Sequence, residues 1–133
     1  MGAPDNKSCM EEAALSTASF SDATISLLEH CMLCPRACGV NRVAGERGVC
    51  GAADGLRIAR AALHFWEEPP ISGEAGSGAV FFSNCPLHCV YCQNEPIATG
   101  SCGVDVSVRR LARIFLELQD QGALNVNLVT PTH

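Results

Sequence analysis

The apolar pattern is strongest in the second half of the chain. Ala79-Val80-Phe81-Phe82 is short and continuously apolar, which predicts a buried strand. Over residues 107–121 the spacing changes to that of a helix, with Val108, Leu111, Ala112, Phe115 and Leu118 on one face. Ser107 is a good N-cap and Gly122 closes the far end, while Arg109 and Arg110 sit in the first turn, where the helix dipole slightly disfavours them. Residues 124–130 then read as a strand in which Val126, Leu128 and Thr130 alternate with Asn125 and Asn127. Strand, helix and parallel strand predict one right-handed βαβ unit.

The first half is less regular. Residues 1–21 are polar and rich in small side chains; 11–15 offers a helix start without a clean period, and Asp22 suits the cap of a short helix through Leu28 and Glu29. Residues 56–63 mix apolar and basic side chains and predict a short strand leading away from the cysteines before it. Pro69-Pro70 breaks regular structure, and residues 71–78 read as a connecting loop. Gly76-Ser77-Gly78 superficially suggests a phosphate loop, but a strand follows it rather than a helix N-terminus. Residues 95–106 read as irregular and contain Cys102, an isolated thiol like Cys9.

Composition narrows the function. With 133 residues, 47% apolar and 17% charged, one packed domain is expected. A net charge of −5 provides no basic patch for nucleic acid and disfavours an anionic membrane. No apolar run is long enough for a transmembrane helix. The polar, acidic first twelve residues do not read as a signal peptide, so a cytoplasmic location is expected. Nine cysteines, an odd number, then point to reduced thiols used for metal rather than to disulfides.

The cysteines form two groups. Cys85, Cys89 and Cys92 have the spacing C-x3-C-x2-C directly after the predicted strand. Three thiolates in eight residues can converge on one soft metal centre and leave a position open for a small molecule. A zinc knuckle lacking its fourth ligand is the plainer alternative. Cys31, Cys34, Cys38 and Cys50 have the spacing C-x2-C-x3-C-x11-C, with Pro35, Gly39, Gly45 and Gly48 supplying turns. Four thiolates suit a closed zinc or iron–sulfur site, and spacing does not choose between them; four unligated thiols are the alternative. His64 is a candidate ligand or substrate contact, although such a histidine more often packs locally.

The 85–92 stretch, with Tyr91 between its second and third cysteines, resembles the cluster loop of radical S-adenosylmethionine enzymes. Phe81-Phe82-Ser83-Asn84-Cys85 and Tyr91-Cys92-Gln93-Asn94 resemble the branch related to pyruvate formate-lyase activating enzymes. Cys31-Met32-Leu33-Cys34-Pro35-Arg36-Ala37-Cys38-Gly39-Val40 resembles the N-terminal cysteine region of radical proteins in that branch. The resemblance implies a four-iron four-sulfur cluster on Cys85, Cys89 and Cys92, with S-adenosylmethionine chelating the fourth iron. One-electron reduction would cleave it to methionine and a 5′-deoxyadenosyl radical, which takes a hydrogen atom from substrate. Tyr91, through its backbone, and Asn94 are the implied cofactor contacts. The implied partners are a low-potential electron donor such as flavodoxin or ferredoxin and, for an activase, a glycyl-radical protein. A different radical substrate, or a metal-binding fragment without turnover, are the other readings.

The family's second strand ends in a Gly-Gly-Glu type motif. Here Val129-Thr130-Pro131-Thr132-His133 stands instead, with Thr130 or Thr132 as the available polar groups. The expected fold class is α/β, the start of a radical-SAM (β/α) partial barrel preceded by a small cysteine-rich metal-binding segment. The expected divisions are 1–25 polar, 26–75 cysteine-rich and 76–133 the first βαβ unit. A full eight-fold barrel needs about 200–250 residues, so the chain is expected to be truncated, the front part of a longer fold.

Overall fold

The computed structural model describes residues 22–132. The helix start at 11–15 and the thiol of Cys9 lie outside them. The elements in chain order are α1 (Asp22–Glu29), β1 (Leu56–His64), α2 (Pro69–Ser72), β2 (Ser77–Phe82), α3 (Glu95–Ala98), β3 (Val104–Val106), α4 (Val108–Asp120) and β4 (Val126–Val129). The four strands form one mixed, open sheet in the order β3-β1-β2-β4. Among the described residues no barrel closes, and no helix is long and apolar enough to cross a membrane.

The predicted βαβ unit is present. β2 is buried along its length except at half-buried Phe81, and α4 carries the chain over to β4, which pairs with β2 in parallel from Gly78↔Val126 to Phe81↔Val129. β2 starts at Ser77, earlier than the apolar run implied. Gly78 can enter the strand because it has no side chain: a Cβ there would stand 3.1 Å from the Asn125 carbonyl and 3.2 Å from Leu118 Cβ.

α4 forms as its pattern predicts. Ser107 Oγ accepts a hydrogen bond from the Arg110 N–H at 3.1 Å, satisfying one of the orphan donors of the first turn. The buried face differs from the expected one. Ile114 and Leu118 are buried against Ile58, Val80 and Phe82, with Leu111 and Phe115 packed beside them. Val108 and Ala112 are exposed. The helix stripe 111, 114, 115, 118 fits the same period, and Ile114 lies at its centre.

Two further corrections concern the sheet. β1 is a strand that leads away from the cysteines before it, as expected, and it runs as an inner strand, antiparallel to β2 from Ile58↔Phe82 to His64↔Ser77. Its other neighbour, β3, lies in a segment expected to be irregular, and pairs antiparallel from Leu56↔Val106 to Ile58↔Val104. The Arg57–Asp105 ion pair at 3.0 Å joins the same two strands. Residues 71–78 are not one loop, since the end of α2 and the start of β2 fall within them. In β4 the alternation holds but its coverage fails. Leu128 pairs with Val80 and so shares its face, yet Val126 and Leu128 remain 41% and 42% exposed because α4 packs over β1 and β2. β1, from the middle segment, and β2 and β4, from the C-terminal one, share this one sheet.

Candidate metal centre

Strand directions gather the cysteines. The 85–92 loop leaves the carboxyl end of β2, and β1 begins at that same end because Ile58 faces Phe82. The 31–50 group precedes β1 and is therefore carried to that end of the sheet. The carboxyl end of the parallel strand β4 arrives there too, and Thr130 Oγ1 donates to the Phe82 carbonyl at 2.9 Å. Open α/β sheets place ligands outside the carboxyl ends of their parallel strands.

The 85–92 loop is firmly held at its start. The Asn84 N–H donates to the Ile97 carbonyl at 3.0 Å and the Cys85 N–H to the Ala98 carbonyl at 2.8 Å, so α3 fixes the first cysteine. Asn84 is buried with φ 68°, a left-handed conformation that asparagine tolerates better than most residues. Ser83 adds a bond from its hydroxyl to the Cys102 carbonyl at 2.7 Å. Beyond Cys85 the loop stands out from the protein. Cys89 is exposed and Cys92 half-buried, and the Cys92 N–H donates to the Cys89 carbonyl at 3.2 Å. Tyr91 is 91% exposed and Val90 94%, so no protein wall covers the aromatic ring. Asn94 is half-buried and caps α3 through its carbonyl, which accepts from the Ile97 and Ala98 N–H groups.

The 31–50 group is more enclosed. Cys31 is buried, and its N–H and carbonyl bond Val40 and Gly39, each at 3.0 Å. Cys34-Pro35-Arg36-Ala37 makes a turn closed by the Ala37 N–H on the Cys34 carbonyl at 3.0 Å. Cys31, Cys34, Cys38 and Cys50 all line one cavity, together with Arg36, Arg42, Pro86 and Thr132. The Val49 N–H points at Cys38 Sγ and the Ala52 N–H at Cys50 Sγ, both at 3.5 Å. Arg42, only 1% exposed, donates through Nε to the Ala53 carbonyl at 2.7 Å and lies 4.0 Å from Cys31 Sγ. Such donors stabilise thiolate charge, the role that hydrogen bonds to sulfur play around metal thiolates.

All eight cysteines among the described residues are free. Also among them, no three His, Cys, Asp or Glu side chains stand together as a ready metal-holding group. Cys31, Cys34, Cys38 and Cys50 nevertheless share the lining of one cavity, so the 31–50 group fits a metal in donor type and in common location. The 85–92 loop fits in donor type alone, and loading it requires Cys89 and Cys92 to close in, ordering that metal binding itself can drive.

The remaining candidates separate clearly. His64 pairs with Ser77 at the opposite end of the sheet, and its Nε2 lies 3.8 Å from Glu67 Oε1. The Thr130 hydroxyl is occupied by the Phe82 and Val129 carbonyls, so it does not replace the missing glutamate as a free polar contact. Thr132 lines the cavity instead. Cys102 is exposed. The residues that sequence reasoning left without a role are Arg36 and Arg42. Arg36 Nε donates to the Pro86 carbonyl at 2.9 Å and its Nη2 to the Leu87 carbonyl at 3.3 Å, which joins the two groups across 50 residues of sequence. The signal available was an arginine set inside Cys34-Pro35-Arg36-Ala37-Cys38.

Fold and site together define a small α/β domain with a four-stranded mixed open sheet and two cysteine groups gathered at one end. No protein-family model, no curated protein and no solved structure matches the chain.

Proposed function

We propose that the chain is a radical S-adenosylmethionine iron–sulfur protein similar to pyruvate formate-lyase activating enzymes, acting on a glycyl-radical partner. The observation that supports the reading is the C-x3-C-x2-C loop at the carboxyl end of β2, beside a parallel β4 reached through α4. In this reading β2, α4 and β4 open a (β/α) partial barrel. Cys85, Cys89 and Cys92 would hold a four-iron cluster with one iron open to S-adenosylmethionine. Reduced by an external one-electron donor, a cluster held there would supply the chemistry that cleaves S-adenosylmethionine to methionine and a 5′-deoxyadenosyl radical.

The chain's own part is placement. α3 fixes Cys85 through its backbone, which sets where the loop starts. Tyr91 and Asn94 lie on the same loop and its exit, close enough in sequence to border a bound adenosine. Cys31, Cys34, Cys38 and Cys50, which line one cavity beside that loop, would hold a second metal, zinc or iron–sulfur.

The test is anaerobic reconstitution with ferrous iron and sulfide, followed by reductant and S-adenosylmethionine. The expected product is 5′-deoxyadenosine. Replacing Cys85, Cys89 and Cys92 together by alanine should abolish it and remove about four irons per chain. Unchanged iron content in that variant would sink the assignment. A glycyl-radical signal in a candidate partner, read by electron paramagnetic resonance, separates activase chemistry from another radical substrate.

The second reading is a metal-binding module without turnover. It is favoured by the uncovered ring of Tyr91 and by a cavity that belongs to the 31–50 group rather than to the 85–92 loop. Bound metal without 5′-deoxyadenosine would select it.

A further inference from the structure

We infer that Arg36 couples the two cysteine groups, so that metal on Cys31, Cys34, Cys38 and Cys50 sets how firmly the 85–92 loop holds its own. The inference rests on both groups binding metal, and it adds the residue that links them. Arg36 stands inside the turn that separates Cys34 from Cys38. Its guanidinium reaches the Pro86 and Leu87 carbonyls at 2.9 and 3.3 Å, and both carbonyls lie between Cys85 and Cys89. Pro86 also forms part of the wall of the four-cysteine cavity. The two groups therefore share a surface as well as a tether.

Arg36 is a positioning residue, because it touches backbone and no sulfur. A planar guanidinium meets successive acceptors in a fixed geometry that a lysine ammonium does not reproduce. Metal on Cys34 and Cys38 would fix the turn on both sides of Arg36, and with it the direction in which the side chain leaves. That turn is closed by one backbone bond of 3.0 Å and holds Ala37 at φ 44°, a conformation that alanine disfavours. The loop needs this outside support, since Leu87, Val90 and Tyr91 all project into solvent. A contact that orders the loop in advance lowers the entropy lost when Cys89 and Cys92 close on metal.

The test uses the full chain, loaded anaerobically with zinc and with ferrous iron plus sulfide. The readout is the rate at which a ferrous chelator removes iron. The Cys85, Cys89 and Cys92 triple alanine variant gives the baseline of the 31–50 group. Arg36→Ala should speed iron release from the 85–92 loop about tenfold, the effect of losing charge-assisted hydrogen bonds. Because Arg36 also lines the four-cysteine cavity, the same substitution in the triple-variant background measures any effect on the 31–50 group, and release from the 85–92 loop should exceed it. Arg36→Lys should fall between. Cys34→Ser with Cys38→Ser should also speed release, and adding Arg36→Ala to that pair should add nothing, because the same link is already cut. Equal release from Arg36→Ala and the native chain, or fully additive effects, overturns the coupling alone. A native 85–92 loop that takes up no iron overturns the metal reading of that loop, and the coupling with it.

Discussion

Gly48 shows why single residues in the 31–50 group matter. Gly45 and Gly48 look alike in the sequence, as turn residues around a small centre. Gly45 has φ 84° and open space around it, so its reason is conformational. A Cβ at Gly48 would stand 2.8 Å from Cys38 Sγ and 2.9 Å from Cys38 Cβ, so its reason is contact. Gly48→Ala must therefore push Cys38 out of the shared cavity. The expected result is loss of most of the metal bound by this group, measured by metal analysis in the background lacking Cys85, Cys89 and Cys92. The thermal transition of the sheet should survive, because its core lies between α4 and the strands. Full metal content in Gly48→Ala would show that Cys38 is not a ligand.

The elements were legible to different degrees, and α4 was the most legible. Its cap, its period and its stop all act within the chain's local geometry, so sequence alone placed it within a residue at each end. Which side is buried depended on its position over β1 and β2, and that moved the centre of the face to Ile114 and Leu118. Leu118→Ala should cost about 2–5 kcal/mol, the usual range for emptying a buried leucine site. Val108→Ala, on the exposed first turn, should cost under about 0.5 kcal/mol. Urea unfolding of the two variants gives the comparison, and equal losses would put the expected face back in place of the observed one. β3 was illegible because three residues, two of them exposed, carry no period; its strand character comes from pairing with Leu56, Arg57 and Ile58. β4 was legible in its alternation and not in its exposure, since an edge strand's cover is supplied by whatever lies beside it.

At the scale of the molecule, both cysteine groups were visible as spacings, but nothing in the spacings says that they meet. Their meeting is set by the antiparallel pairing of β1 with β2, which returns the start of β1 to the end of β2. Arg36 then closes the gap with two hydrogen bonds that only tertiary structure could reveal. The same pairing makes β1 indispensable. It is flanked by β3 and β2 and supplies buried Ile58 to the core. A chain of residues 76–133 keeps the βαβ unit and loses that strand, leaving one side of β2 and the whole partner edge of β3 without backbone hydrogen bonds. Such a chain should show no cooperative urea transition and no slow amide exchange in α4. A chain of residues 51–133 restores β1 without the 31–50 group and should regain both. Cooperative unfolding of the shorter chain would mean that β2, α4 and β4 fold without β1, and that the two cysteine groups belong to separable units held together by Arg36 and their shared cavity wall.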